Sequence, residues 1–188
     1  MNKKTFLLIG VLLIVLSGIG ATVSYFFSKG TLTIEAQLIY KLSGPQPVGR
    51  QYFYLLDRDP SLPPKDDAKF QAAVDGLKSE TDKQTMLTAG VLFQMVYQFR
   101  DKAVNTDQAK TLINTLAQTK IAWQMHQVAE TQTDFKGIGQ FQPVKPGRYW
   151  VLGETPTIEG VTIWSLPVDI KRGSNKLLLD QGNAIISK

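Results

Sequence analysis

The spacing of apolar positions divides this chain. An apolar run begins at Thr5 and reaches Phe27 with no charged residue inside it. As a helix those 23 residues would extend about 34 Å at roughly 1.5 Å per residue, enough to cross a bilayer core about 30 Å thick. Lys3 and Lys4 precede the run, Lys29 follows it, and Tyr25, Phe26 and Phe27 suit an interfacial aromatic belt. Gly18-Ile19-Gly20 offers small residues for a signal-peptide cut, but apolar character continues through Val23 to Phe27, which favours an uncleaved signal-anchor over residues 1–29. The basic start places the N-terminus in the cytoplasm. Residues 30–188 are then expected outside it, periplasmic or extracellular, on a single-pass protein of the cell membrane.

After the run the period becomes two. Leu32, Ile34, Ala36 and Leu38 alternate with Thr33, Glu35 and Gln37, which predicts a strand over residues 31–40. Ser43-Gly44-Pro45-Gln46-Pro47 reads as a turn, and residues 51–56 (QYFYLL) as a second strand.

From about residue 62 to 122 the period is helical. Residues 65–78 predict a short helix weakened by Gly76. Thr81 and Gln84 form a T-x-x-Q capping box ahead of a stronger helix. There Leu92, Met95, Val96 and Phe99 follow the spacing of one buried face. Asn105 or Thr106 would cap a third helix carrying Leu112, Ile113 and Leu116.

From Met125 the period of two returns. Met125, Gln127, Ala129 and Thr131 alternate with His126, Val128 and Glu130, and Ile138, Gln140 and Gln142 with Gly139 and Phe141. A dense β stretch covers residues 149–152. Val161, Ile163, Val168 and Ile170 mark another, with Pro167 at an edge or bulge. Gly173-Ser174-Asn175 reads as a turn before a last strand at Leu177, Leu178 and Leu179. The fold class is therefore mainly β with an α insertion: a seven-stranded β-sandwich over residues 30–188, with helices at about 62–122 packed on one sheet or one end.

Composition narrows the chemistry. With no cysteine, a disulfide framework, a thiolate site and a lipoprotein anchor are all excluded. The net charge is +5. Setting aside Lys3 and Lys4 leaves 19 basic against 16 acidic residues, too mild a balance for nucleic acid.

Thr133-Asp134-Phe135-Lys136-Gly137, then Gln140-Phe141, then Pro146-Gly147-Arg148-Tyr149 resembles the T-D-x-x-G…F…P-G-x-Y signature of the carboxypeptidase regulatory-like domain family. Gly173-Ser174-Asn175-Lys176-Leu177 is similar to that family's final turn and strand. The resemblance implies a transthyretin-like seven-stranded sandwich, with an accessory, adhesive or scaffolding role and no catalytic residues of its own. The helical insertion departs from the family's short pattern.

His126 is the single histidine, so any Ser/His/Asp site would need it. Beside Trp123 and Met125 it reads instead as a sandwich residue with a backbone partner. Asp57, Asp59, Asp66 and Asp67 surround a proline-rich turn without the ordered spacing of a calcium loop. They read as solvated acids, with Asp66 and Asp67 at a helix start. No catalytic, metal or cofactor-binding residue is expected. The candidate partner or ligand surface comprises Tyr149, Trp150 and Trp164 on strands, with Leu92, Met95 and Phe99 on the central helix. Tyr52, Phe53 and Tyr54 belong to the same aromatic set. The expected partners are the lipid bilayer and another protein of a bacterial cell envelope, for a non-enzymatic interaction or structural module. The alternative is a glycan or peptide held on outward aromatics.

Overall fold

A computed structural model describes residues 29–40, 42–99, 106–157 and 160–187. The apolar run and the cap at Asn105 lie outside them. No helix among the described residues is long and apolar enough to cross a membrane.

The architecture has three layers. In the first sheet β1 (Gly30–Tyr40) is central. It pairs antiparallel with β5 (Ile138–Val144) and parallel with β8 (Gly173–Leu179), and β2 (Gly44–Pro47) folds back along its outer end. The second sheet is antiparallel, in the order β4 (Gln127–Gln132), β3 (Tyr52–Leu56), β6 (Gly147–Pro156), β7 (Val161–Ile170), β9 (Ile186–Ser187). The third layer is helical: α1 (Ala68–Asp75), α2 (Glu80–Gln98) and α3 (Thr106–Trp123). Single 3-10 turns precede α1 and follow α3. The helices lie between β3 and β4 in sequence, so this is a β-sandwich with a helical insertion.

Alternation dictates which residues meet between the sheets. Leu32, Ile34 and Ala36 are fully buried, and they join Phe53, Leu55, Val151 and Trp164 in one core. Trp164 satisfies its indole by donating to the Asp180 carbonyl at 2.8 Å. Gly153 makes room for Phe53, since a Cβ there would fall 2.2 Å from the ring.

The opposite face of the second sheet carries Leu56, Leu152 and Ile163, which pack on Phe93 and Val96 of α2 and Leu112 and Leu116 of α3. The Tyr97 hydroxyl also reaches from α2 to Ser165 on β7. Phe70 and Val74 of α1 meet Met86 and Ala89 of α2 in a third cluster. The insertion thus has a place to bury its apolar face, as its sequence requires.

Several expectations need correction. Residues 44–47 pair with β1 as a strand rather than forming only a turn, because Gln37 to Tyr40 leave an open edge for them. Residues 173–175 begin β8, with Gly173 at φ +85, and the Asn175 side chain ties down the preceding loop through Lys171. Nine strands are present among the described residues. β1 and β3 to β8 match the seven expected, while β2 and β9 are short additions. The capping box at Thr81 and Gln84 is displaced. Ser79 caps α2 by accepting from the Asp82 amide at 3.4 Å, which puts Glu80 and Asp82 at the helix's positive end. The buried face of α2 is Met86, Ala89, Phe93 and Val96, so Met95 falls outside it at 45% exposure.

The Thr133–Gly137 turn takes its expected form. Asp134 Oδ1 accepts from the amides of Lys136 at 2.8 Å and Ile138 at 2.9 Å, and Gly137 adopts φ +76.

Candidate functional site

The insertion leaves the sandwich after β3 and returns before β4, so its two ends are neighbours. Asp57 stands at the exit and His126 at the return. The Asp57 amide donates to the His126 carbonyl at 2.9 Å, and the two side chains meet at 2.7 Å between Oδ1 and Nδ1. His126 Nε2 faces Asp67 Oδ2 at 2.6 Å. Asp67 also caps α1, accepting from the Lys69 and Phe70 amides at 3.0 and 3.1 Å, and pairs with Arg58. Lys69 closes the group on Asp57 Oδ2 at 2.5 Å.

This cluster is buried on one side, with the Asp67 and His126 side chains 6% and 8% exposed. Burial alone would raise both aspartates. For Asp57, hydrogen bonds and charge from Lys69 and His126 outweigh it. For Asp67, the Phe70 amide, His126 and Arg58 do so. Both carboxyls are held below their ordinary value. Each ring nitrogen of His126 thus faces its own carboxylate oxygen, and the ring is held from both sides. The carboxylates lie on opposite ring nitrogens, so the three groups diverge. Among the described residues no group of three or more acids or histidines is arranged to hold a metal. A cavity of about 30 Å³ beside the cluster has room for one water. The chemistry of the neck is that of a tie. It differs from the expectation of a backbone partner for His126 and of solvated carboxylates at Asp57 and Asp67.

A second feature lies between α3 and the sheet. Tyr54 on β3, Leu152 and Glu154 on β6, and Leu116, Lys120 and Trp123 on α3 line a cleft of about 210 Å³. The Tyr54 and Trp123 rings form a corner, with centroids 5.0 Å apart and planes at 52°. Lys120 Nζ stands 5.1 Å from the Tyr54 centroid. Trp123 Nε1 and Glu154 Oε2 are both buried and have no hydrogen-bond partner. An unmade hydrogen bond at a buried polar group costs about 1–3 kcal/mol, so each orphan is an unusual expense. Burial raises the Glu154 carboxyl above its ordinary value.

The six candidate surface residues do not converge. Trp164 is 0% exposed and belongs to the core, because β7 turns it toward Phe53; it is corrected from surface to interior. Tyr149 packs on that same core, and its hydroxyl donates to the Lys145 carbonyl at 2.9 Å. Trp150 points to the other face and packs, like Phe99, against the helix–sheet core. Leu92 lines an open groove of about 820 Å³ between α2 and α3 with Gln84, Thr88 and Gln118. Met95 is open to solvent. It shares a stripe with Leu87 and Val91, which are 36% and 55% exposed and recur every four residues along α2.

Sequence reasoning passed over Glu154 and Trp123 as site residues. A signal for Glu154 was available: it is in phase with Trp150 and Leu152, so the face that buries them also covers a carboxylate. Nothing in the sequence brought Trp123 opposite it.

No family model matches this sequence, and no curated protein matches it. Among solved structures the chain is similar to a candidate carbohydrate-binding protein from Pseudomonas aeruginosa, at 12% identity and TM-score 0.35, over 82% of this chain and 90% of that one. It is also similar to the full-length major pilin RrgB from Streptococcus pneumoniae, at 10% identity and TM-score 0.29, over 80% of this chain and 30% of the pilin. At these values the likenesses carry no argument about what this chain does.

Proposed function

We propose that this chain is a membrane-anchored, extracytoplasmic, non-enzymatic interaction module of a bacterial cell envelope. Its sandwich would be of the transthyretin-like, carboxypeptidase regulatory-like kind, and its helical insertion would be the working surface. The observation that carries the reading is the outward stripe Leu87, Val91 and Met95 on α2, beside the groove that Leu92 lines. Residues 84–99 contain no charged side chain, so this face has little reason to stay in water. Helices that seek a lipid surface carry Lys and Arg along their polar face, and this stretch has none. The stripe therefore suits an apolar face on another protein.

The anchor would fix the height of the domain, the neck would fix the insertion on the sheet, and α2 would face the partner. His126 serves this reading as a tie, since both its ring nitrogens are engaged. The glycan or peptide alternative built on Tyr149, Trp150 and Trp164 gains no support from their positions, because these side chains divide between two cores.

The test is copurification of the full-length chain from its native membrane after crosslinking, beside the variant Leu87→Gln, Val91→Gln, Met95→Gln. A discrete protein that follows the parent chain and not a folded variant supports the reading. The same protein with both, or none with either, overturns it.

A further inference from the structure

The geometry points to the cleft between α3 and the sheet as a binding site for a neutral, polyhydroxylated ligand about the size of one sugar ring. The site is distinct from the α2 stripe and does not depend on it.

Two buried side-chain atoms without partners are found among the described residues, and both belong to residues lining this cleft. They are of opposite kind. Trp123 Nε1 can only donate, and an ionised Glu154 Oε2 can only accept. A hydroxyl does both, so a ligand bearing several hydroxyls answers each atom with one functional group once the two side chains, whose orphan atoms are closed to solvent, turn toward the cleft they line. Water also does both. Yet the cleft measures about 210 Å³, which is about seven waters at liquid density, and much of its wall is apolar. Leu116, Leu152 and the Tyr54–Trp123 corner offer carbon surface to the ring of a ligand whose hydroxyls point to the polar atoms. Such a wall, largely apolar and aromatic with a few placed polar groups, is the common make-up of a small-molecule site.

Charge narrows the class further. The cleft carries one acid, Glu154, and one base, Lys120 at its exposed rim. An anionic ligand would meet the buried carboxylate, and a cationic one would meet Lys120. A neutral ligand meets neither penalty. Hydroxyls donating to Glu154 would also replace part of the solvation that burial removes, and this predicts that its raised carboxyl returns toward the ordinary range on binding.

The test uses the full-length chain in detergent micelles, labelled so that its three tryptophan indole N–H signals are seen by NMR. The Trp123 signal is assigned by its loss in Trp123→Phe. Glucose, galactose, mannose and N-acetylglucosamine are titrated to about 50 mM, far enough to detect a millimolar site. Glucuronate and glucosamine serve as charged probes and glycerol as an open-chain one. A neutral sugar should move the Trp123 signal saturably, with smaller changes at Trp150 and Trp164. Glu154→Gln should weaken that binding about tenfold, as expected for one hydrogen bond to a charged group. Ala117→Leu, which fills the cleft from its exposed rim, should abolish it without unfolding the domain. The inference is overturned if no neutral sugar moves the Trp123 signal, if Ala117→Leu binds as well as the parent, or if a charged probe or glycerol binds in preference.

Discussion

Asp57 and His126, 69 positions apart, are joined twice: backbone amide to carbonyl at 2.9 Å, and carboxylate to imidazole at 2.7 Å. The pair closes the loop of chain that contains every described helix. Asp67 holds the far side of the ring and caps the first of those helices, so one histidine couples the sandwich to the start of the insertion. Closing a long loop costs chain entropy, and a tie at its mouth is where compensation acts most directly.

Removing the tie should be expensive. His126→Ala removes the shared partner of both carboxylates, leaving Asp57 with Lys69 and Asp67 with Arg58. A hydrogen bond to a charged group contributes about 1.5–3 kcal/mol, and a loss of about 3 kcal/mol is expected because two are removed at once. Urea unfolding of the parent and variant measures it. His126→Gln, which keeps one donor, should lose less.

The same cluster sets an acid limit. Asp57 and Asp67 titrate below their ordinary value in the fold, so the unfolded chain binds protons first as pH falls. Their contribution is complete above the ordinary aspartate pKa of 3.8 and is lost as pH falls through the lowered folded values. The double variant Asp57→Asn, Asp67→Asn should be less stable at neutral pH and show a shallower fall on acidification. Asparagine caps helices about as well as aspartate, so the change reports charge more than capping. Thermal unfolding from neutral to strongly acidic pH tests the slope.

Glu154 has the opposite sign. Its raised carboxyl means the fold resists ionisation, so a stability penalty is absent below the ordinary glutamate pKa and grows as pH rises through the raised value. Glu154→Gln should match the parent in acid and exceed it once the parent's carboxyl is ionised. Equal stability across the whole range would contradict the buried, unpartnered state of Oε2.

Gly153→Ala tests the sandwich core. The added methyl would lie 2.2 Å from Phe53 Cδ1, where β3 and β6 are paired and neither backbone can withdraw. Overpacking of this kind costs about 3 kcal/mol. Phe53→Leu in the same chain should recover part of it, and calorimetry of the three proteins reads both effects.

The sandwich was largely legible because its signals are local. Leu32, Ile34, Ala36 and Leu38 alternate, and every one of them points inward. Asp134 and Gly137 carry their turn within five residues. Helix existence was equally plain, but the buried face of α2 was not. Apolar residues occur around much of that helix, so spacing alone put Met95 on the buried face and Phe93 on another, whereas the sheet buries Phe93 and leaves Met95 open. The neck and the cleft are products of closure. His126 lies 69 and 59 positions from its carboxylates, and Tyr54, Trp123 and Glu154 come from three separate elements. No spacing rule within one element records such meetings.

Contact between the outward face of α2 and another protein can be captured in place. The most direct measurement places a photoreactive amino acid at Val91 in the full-length chain, in its native cell, with a second chain carrying it at exposed Lys176 on β8 as the reference. A discrete protein adduct is expected from position 91, absent from position 176 and lost when Leu87 and Met95 are changed to glutamine. Adducts to lipid alone, the same adducts from both positions, or none from position 91 would contradict it.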